Sequence, residues 1–197
     1  MLLSQIYSRK TGHDLLYNIM PIANLPSVFM YGILSNNEMK KRGIHISVAD
    51  CDVQARRERV TIPNKLPLHD YANLYFDAHN PMLSRVRDRN DKICVLGIDV
   101  SVLDLKDVVV SDMNAAREFA GFYDVSGGFD NINFDKVFAK YWNTLTKGIK
   151  CAEVLVPHRM DPKYIKHIFV ANKSVRDAIL SMNSDTPPIS IDAEMFF

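Results

Sequence analysis

A chain of 197 residues with 47% apolar and 24% charged side chains is expected to form one soluble domain, residues 1–197, with a substantial core. No run approaches the ~18 apolar residues of a membrane span, and the opening residues MLLSQIYSRKTGHD carry no signal-peptide pattern, so neither a membrane span nor export is expected. The net charge of +1 conceals an alternation: residues 54–89 hold seven Lys/Arg against four Asp/Glu, residues 91–135 three against nine, and residues 136–176 nine against two.

In chain order, LLYNIM at 15–20 predicts a first strand that ends at Pro21, which has no backbone N–H to give. Asn24, Leu25, Pro26 and Ser27 read as a helix start, with Gly32 as its stop. Residues 35–67 are polar and poorly periodic, which predicts a loop with a short helix. DYANLYF at 70–76 predicts aromatic packing beside the core, and Pro81-Met82-Leu83 a helical turn. Residues 93–100 and 108–110 read as strands, and residues 114–122 as a short helix. A Gly/Asp/Asn-rich loop follows at 123–133, then helical spacing at 134–142. Residues 164–171 predict a strand, 174–182 a helix and 189–191 a closing strand. Six or seven short strands with interspersed helices give an α+β or mixed α/β chain.

The strand at 150–157, KCAEVLVP, stands apart because it holds a carboxylate. Alternation puts Cys151, Glu153 and Leu155 on one face and Ala152, Val154 and Val156 on the other. A carboxylate among apolar neighbours needs a partner. A structural salt bridge would serve, and so would a catalytic site. Cys51, Cys94 and Cys151 are too few and too widely spaced for a disulfide framework or a zinc site, so reduced thiols and a cytoplasmic location are expected. The chain has no G-x-G-x-x-G and no G-x-x-x-x-G-K-[ST], and Gly127-Gly128 is a turn signal.

Several segments together resemble the DarT family, bacterial toxins that ADP-ribosylate DNA. They are LYNI at 16–19 with NLPS at 24–27, VQARRERVTIP at 53–63, LHDYANLYF at 68–76, NPML at 80–83, VVVSDMNAA at 108–116 and CAEVLVP at 151–157. The resemblance implies an α+β ADP-ribosyltransferase fold: a split, mostly antiparallel β core with flanking helices around an NAD cleft. It implies Glu153 and Arg57 as catalytic residues. It implies an NAD site lined by Asn18, Ile19, Met20, Ser27, Ser35 and Arg57, with residues 43–59 as the NAD-binding element and residues 106–152 holding the substrate-recognising loop. NAD is then a co-substrate and no metal is expected. The implied partners are single-stranded DNA and a cognate antitoxin that reverses the mark or binds the toxin.

Asn18 stands where many relatives carry histidine, so no acid–base role is open to it. Ala72-Asn73-Leu74 departs from the Val-Pro-Phe of many relatives and favours guanine slightly over thymine as the modified base. A single-stranded substrate avoids the cost of flipping a base out of a duplex, a few kcal/mol.

ADP-ribosyl transfer breaks the bond from nicotinamide to ribose C1′ and builds positive charge on the ribose. A fixed carboxylate stabilises such charge by about 3–4 kcal/mol, and Glu153 can also relay a proton from the attacking base. Arg57 suits pyrophosphate, and the permanent charge of a guanidinium makes it a positioning group, not a free base. By pattern alone Arg57 is one of a short charge run, which is ordinarily solvated surface. Lys147, Lys150 and Arg85 are candidates for nucleic-acid phosphates. His69-Asp70 reads as a structural pair over one that orients the cleft, at least two of Tyr71, Tyr75 and Phe76 as core over stacking on nicotinamide or a base, and Trp142 as core over stacking on a base. An RNA ADP-ribosyltransferase and a catalytically silent nucleic-acid-binding module of the same fold are the alternatives. Arg57 and Glu153 together argue against the silent module.

Overall fold

The computed structural model describes residues 1–43, 51–183 and 185–197. Of the 43–59 element expected to bind NAD, residues 44–50 lie outside the described residues. After helix α1 (Leu3–Thr11) come strand β1 (Leu15–Pro21), helix α2 (Leu25–Tyr31), strand β2 (Ile33–Leu34), helices α3 (Asn36–Lys41) and α4 (Cys51–Glu58), strand β3 (Tyr71–Tyr75), helix α5 (Pro81–Arg85) and strands β4 (Ile93–Asp99), β5 (Val109–Ser111) and β6 (Phe122–Asp124). Helices α6 (Val125–Gly128) and α7 (Phe134–Val137), strands β7 (Glu153–Pro157), β8 (Arg159–Met160) and β9 (Ile165–Val170), helix α8 (Lys173–Met182) and strand β10 (Ile189–Ile191) complete the described chain.

Eight strands form one sheet in the order β10-β9-β4-β1-β3-β7-β5-β6, and β2 pairs with β8 in a small ribbon. Every pairing is antiparallel except β10 on β9. The sheet is mixed in its flanking helices and mostly antiparallel in its strands, as expected. Strand β4 is apolar at nearly every position and buried on both faces. One face of the sheet carries the larger core, with Leu16, Leu74, Leu96 and Val154. The other carries Ile19, Tyr75, Val95 and Cys151. Alternation along β7 follows the expected parity: Val154 and Val156 enter the larger core, and Leu155 packs with Tyr71 and Val109 on the opposite face.

The split in the sheet lies between β1 and β3. Seven register pairs join β1 to β4 and five join β3 to β7, but β1 and β3 meet only at Tyr17 and Tyr75. Beyond that point no register pair joins the two strands, and residues of both line a gap. The Asn18 side chain spans it, donating from Nδ2 to the Asn73 carbonyl at 2.8 Å. Gly32, at φ +84°, ends α2 and brings the chain against the Met160 carbonyl, where a Cβ would fall 2.0 Å away. That close approach starts the β2–β8 ribbon, whose Ile33 and Leu34 face the same gap.

Several expectations differ from the structure, among them the loop at 123–133, which holds the end of β6 and all of α6, and the single short helix of 35–67, where α3 and α4 both form. Residues 114–122 form no helix: the Asn114 side chain accepts the Ala116 N–H, a local bond that competes with helical pairing, and β6 begins at Phe122. The helix begun at Phe134 stops at Val137, whose carbonyl accepts from Lys150 Nζ at 2.7 Å. The strand expected at 150–157 is a 3₁₀ turn over Ile149–Cys151 followed by β7. The DYANLYF stretch is itself a strand, β3, and α1 has no counterpart among the expected elements. Among the described residues no helix is long and apolar enough to cross a membrane.

Candidate active site

Glu153 opens β7 and has no solvent exposure. Its two cross-strand neighbours are Tyr75 and Ser111. The Ser111 hydroxyl accepts the Glu153 N–H at 3.2 Å and donates to the Met113 carbonyl at 2.7 Å. The carboxylate is held from two sides. Nη1 of Arg57 donates to both oxygens, at 3.1 and 3.0 Å, and the Ala115 N–H donates to Oε1 at 2.9 Å. Arg57 comes from the last turn of α4, 96 residues away in sequence. The lone carboxylate of the strand therefore has its partner, and that partner is the arginine which the resemblance assigned to catalysis.

The gap between β1 and β3 widens into a cleft of about 840 Å³, within the size range of ligand sites. Asn18, Ile19 and Met20 of β1 and Asn73 and Tyr75 of β3 line it. Arg57 lines it and Glu153 does not, so the guanidinium lies between the carboxylate and open space. Arg56, Arg57, Arg85, Arg87, Arg117 and Lys147 line the cleft against one carboxylate, Asp88, among the described residues. A cavity with that balance draws anions. Burial holds the Tyr75 phenol well above its usual range, with the Glu153 charge as the next cause. The Cys151 thiol at the cleft wall is pushed up to about 12, again by burial first and Glu153 second. Neither group is a nucleophile or base near neutral pH.

The structure brings together Asn18, Ile19, Met20, Ser27 and Arg57, all on the cleft wall. Ser35 is a correction. It is buried, does not line the cleft, and caps α3 by accepting the Glu38 N–H at 3.2 Å. Lys150 is a second. It is 1% exposed, with Nζ committed to Asp77 and to the Val137 carbonyl, so it does not reach a nucleic-acid phosphate. Lys147 and Arg85 do lie exposed at the cleft. His69 is buried away from the cleft, and burial lowers its pKa. Tyr71, Tyr75 and Phe76 are all core, and Tyr75 also borders the cleft. Trp142 is a third correction: it is half-buried on the cleft wall, outside the core.

Sequence reasoning overlooked the roles of Ser111, Asn114, Ala115 and Arg117. The first three lie inside VVVSDMNAA, a stretch already singled out at 108–116. Two of their contacts use backbone N–H groups, which no side-chain pattern advertises.

The chain matches the family model described as "DarT: ssDNA thymidine ADP-ribosyltransferase, DarT" over residues 17–197. It is 30% identical over 190 residues to a "DNA ADP-ribosyl transferase-DNA ADP-ribosyl glycohydrolase fusion protein" of Thermosipho africanus, an alignment covering 92% of this chain and 49% of that protein. The chain thus spans about half the length of this curated relative. It is similar in structure to Thermosipho africanus DarTG in complex with ADP-ribose, with a TM-score of 0.87, 28% identity, and coverage of 94% of this chain and 51% of the other. Thermus sp. 2.9 DarT superposes with TM-scores of 0.81 in complex with ADP-ribosylated ssDNA and 0.75 in complex with NAD+. These two matches, at 23% and 21% identity, cover 93% of this chain and 96% and 98% of theirs, and they show the fold.

Proposed function

The chain belongs to the DarT family, and on that premise we propose that it transfers ADP-ribose from NAD to a base of single-stranded DNA, releasing nicotinamide. The observation that carries this reading is Glu153: a strand-borne carboxylate sealed at a sheet split, held by Arg57 and the Ala115 amide, beneath a cationic cleft. NAD fits the chemistry of that cleft. Arg56 and Arg57 present charge for a pyrophosphate on one wall, and the volume suits a dinucleotide-sized ligand.

NAD would supply the ADP-ribosyl group, with nicotinamide leaving as its bond to ribose C1′ breaks. Glu153 offers a negative charge fixed before reaction, which stabilises positive charge on the ribose without reorganisation. Arg57 covers both carboxylate oxygens, so the carboxylate meets a ligand once the guanidinium turns toward the pyrophosphate. The base loses one proton as its nitrogen bonds to ribose, and Glu153 is the acceptor by direct contact or through one relay.

For the base, thymine is the proposed target. The family description names thymidine. The departure that favoured guanine reaches the cleft only through Asn73, because Ala72 is 1% exposed in the core. The proposed partner is a DNA ADP-ribosyl glycohydrolase that removes the mark, since the Thermosipho relative is described as a fusion of the two activities. The pair would act as toxin and antitoxin.

The test is incubation with NAD and single-stranded DNA or RNA oligonucleotides, read by mass for one added ADP-ribose. DNA modification lost in Glu153→Gln supports the proposal, and fragmentation names the base. Modification of RNA alone assigns the substrate to RNA, and binding without turnover makes the chain a silent module.

A further inference from the structure

Two segments close the loop end of the cleft: residues 112–120 and residues 139–151. The first is pinned to the second by the Asn114 N–H, which donates to the Gly148 carbonyl at 2.9 Å. Gly148 also gives room to Arg117, since a Cβ there would lie 3.0 Å from Arg117 Nε. An Asn143-centred turn shapes the second segment. Its side chain accepts the Leu145 and Thr146 N–H groups at 2.9 and 3.0 Å. Trp142 precedes that turn and Lys147 follows it. Both line the cleft with Arg117.

Trp142 is oddly placed for a tryptophan. It is half-exposed, and its two ring contacts, His79 at 5.9 Å and Phe197 at 5.6 Å, are both T-shaped. Among the described rings none stacks in parallel on it. The same two segments carry Phe119, Tyr141 and Leu145, which are 83%, 79% and 87% exposed. Each lies within two residues of Arg117, Trp142 or Lys147. Large apolar side chains left in water beside cations make a surface for a chain that has flat bases and charged phosphates.

We propose that Trp142, flanked by Arg117 and Lys147, is a stacking seat for a base next to the modified one, the two cations holding the adjoining phosphates. The inference rests on single-stranded DNA being the substrate. It adds that the strand is gripped at a second point, outside the Glu153 pocket, by stacking that tolerates any base but prefers one to be present. The competing occupant is the adenine or nicotinamide of NAD, which has the same flat chemistry.

Trp142 is the only tryptophan of the chain, so its own emission reports the seat. The full chain is titrated with NAD alone, with a short thymine-containing oligonucleotide alone, and with the same oligonucleotide made abasic at each position beside the target. Quenching by the intact oligonucleotide, lost with one abasic neighbour and absent with NAD alone, is the expected result. Trp142→Leu should raise KM for DNA roughly tenfold, which is the scale of one stacked base. Trp142→Phe should recover most of it, and both should keep NAD binding as the check on folding. Lys147→Gln, at an exposed site, should reduce the salt dependence of binding.

The outcomes separate. Normal DNA modification without quenching, or quenching by NAD alone, overturns the seat and leaves the proposed function standing. Quenching by DNA without modification keeps the seat and overturns the function. Neither signal overturns both.

Discussion

Two buried ion pairs meet the chain three residues apart, Lys150 with Asp77 and Glu153 with Arg57. They differ in which charge is sealed. Lys150 is sealed and its carboxylate partner is 20% exposed, away from the cleft. Glu153 is sealed and its guanidinium partner forms part of the cleft wall. The first pair also satisfies the Val137 carbonyl at the end of α7. The second draws α4, 96 residues away, onto the sheet split. Burial and pairing are alike in both. What separates structure from chemistry here is whether one member of the pair can reach a ligand.

Substitution breaks the comparison most strongly at Glu153. Glu153→Gln keeps the shape and should cost ~10²- to 10³-fold in single-turnover modification, the scale of one preorganised charge. Glu153→Ala should also lower stability by about 3–5 kcal/mol, because Arg57 is left as a buried unpaired cation. Chemical denaturation of the two variants separates these effects. Activity retained in Glu153→Gln would make the pair as structural as its neighbour.

Lys150→Met should do the reverse. Stability should fall by about 3 kcal/mol, toward the lower end for a broken buried pair because Asp77 keeps some water. Modification per folded molecule should hold. Adding Asp77→Asn should recover part of the loss, since no unpaired charge then remains. A kcat collapse at unchanged stability would instead make Lys150 a positioning residue for the strand.

The two pairs also show what the sequence made legible. Period-two alternation through Val154, Leu155 and Val156 located β7 and its buried carboxylate. The ordered motifs then named Arg57 as a residue of the same site. Lys150 misled because a lysine beside other lysines reads as surface, and its partner Asp77 lies 73 residues away. Nothing in the local pattern encodes such a contact. Trp142 was assigned to the core on its size, while its placement depends on how two loop segments fold together. The β1–β3 split was legible only through family resemblance, because the point where a ladder stops depends on both strands.

A smaller effect is expected at the split itself. Asn18→Ala removes the bond to the Asn73 carbonyl, worth about 1 kcal/mol. With the gap no longer fixed, KM for NAD should rise several-fold while kcat changes little. Titration calorimetry with NAD checks the binding half of that split. Equal losses in kcat and kcat/KM would place Asn18 in the reaction itself.

The last effect is silent near neutral pH and sits between the two pairs. Cys151 follows Lys150 and precedes Glu153 by two residues. Burial raises its thiol, and that of Cys94, from 9.0 to about 12. Below pH 9 the thiols are protonated in both folded and unfolded chains, and their contribution is fully present. As pH rises from 9 toward 12 the unfolded chain releases these protons first, so stability falls across that window. Urea midpoints measured from pH 8 to pH 11 should show the decline. Burial alone raises Cys94, whereas at Cys151 the Glu153 carboxylate adds to the rise and the Met82 backbone, Lys147 and Lys150 oppose it. In Glu153→Gln, alkylation at pH 9, followed site by site by peptide mass, should quicken at Cys151 and stay unchanged at Cys94. Equal acceleration at both would mean a loosened core instead of a removed charge. No change at Cys151 would mean that its thiol does not feel the carboxylate.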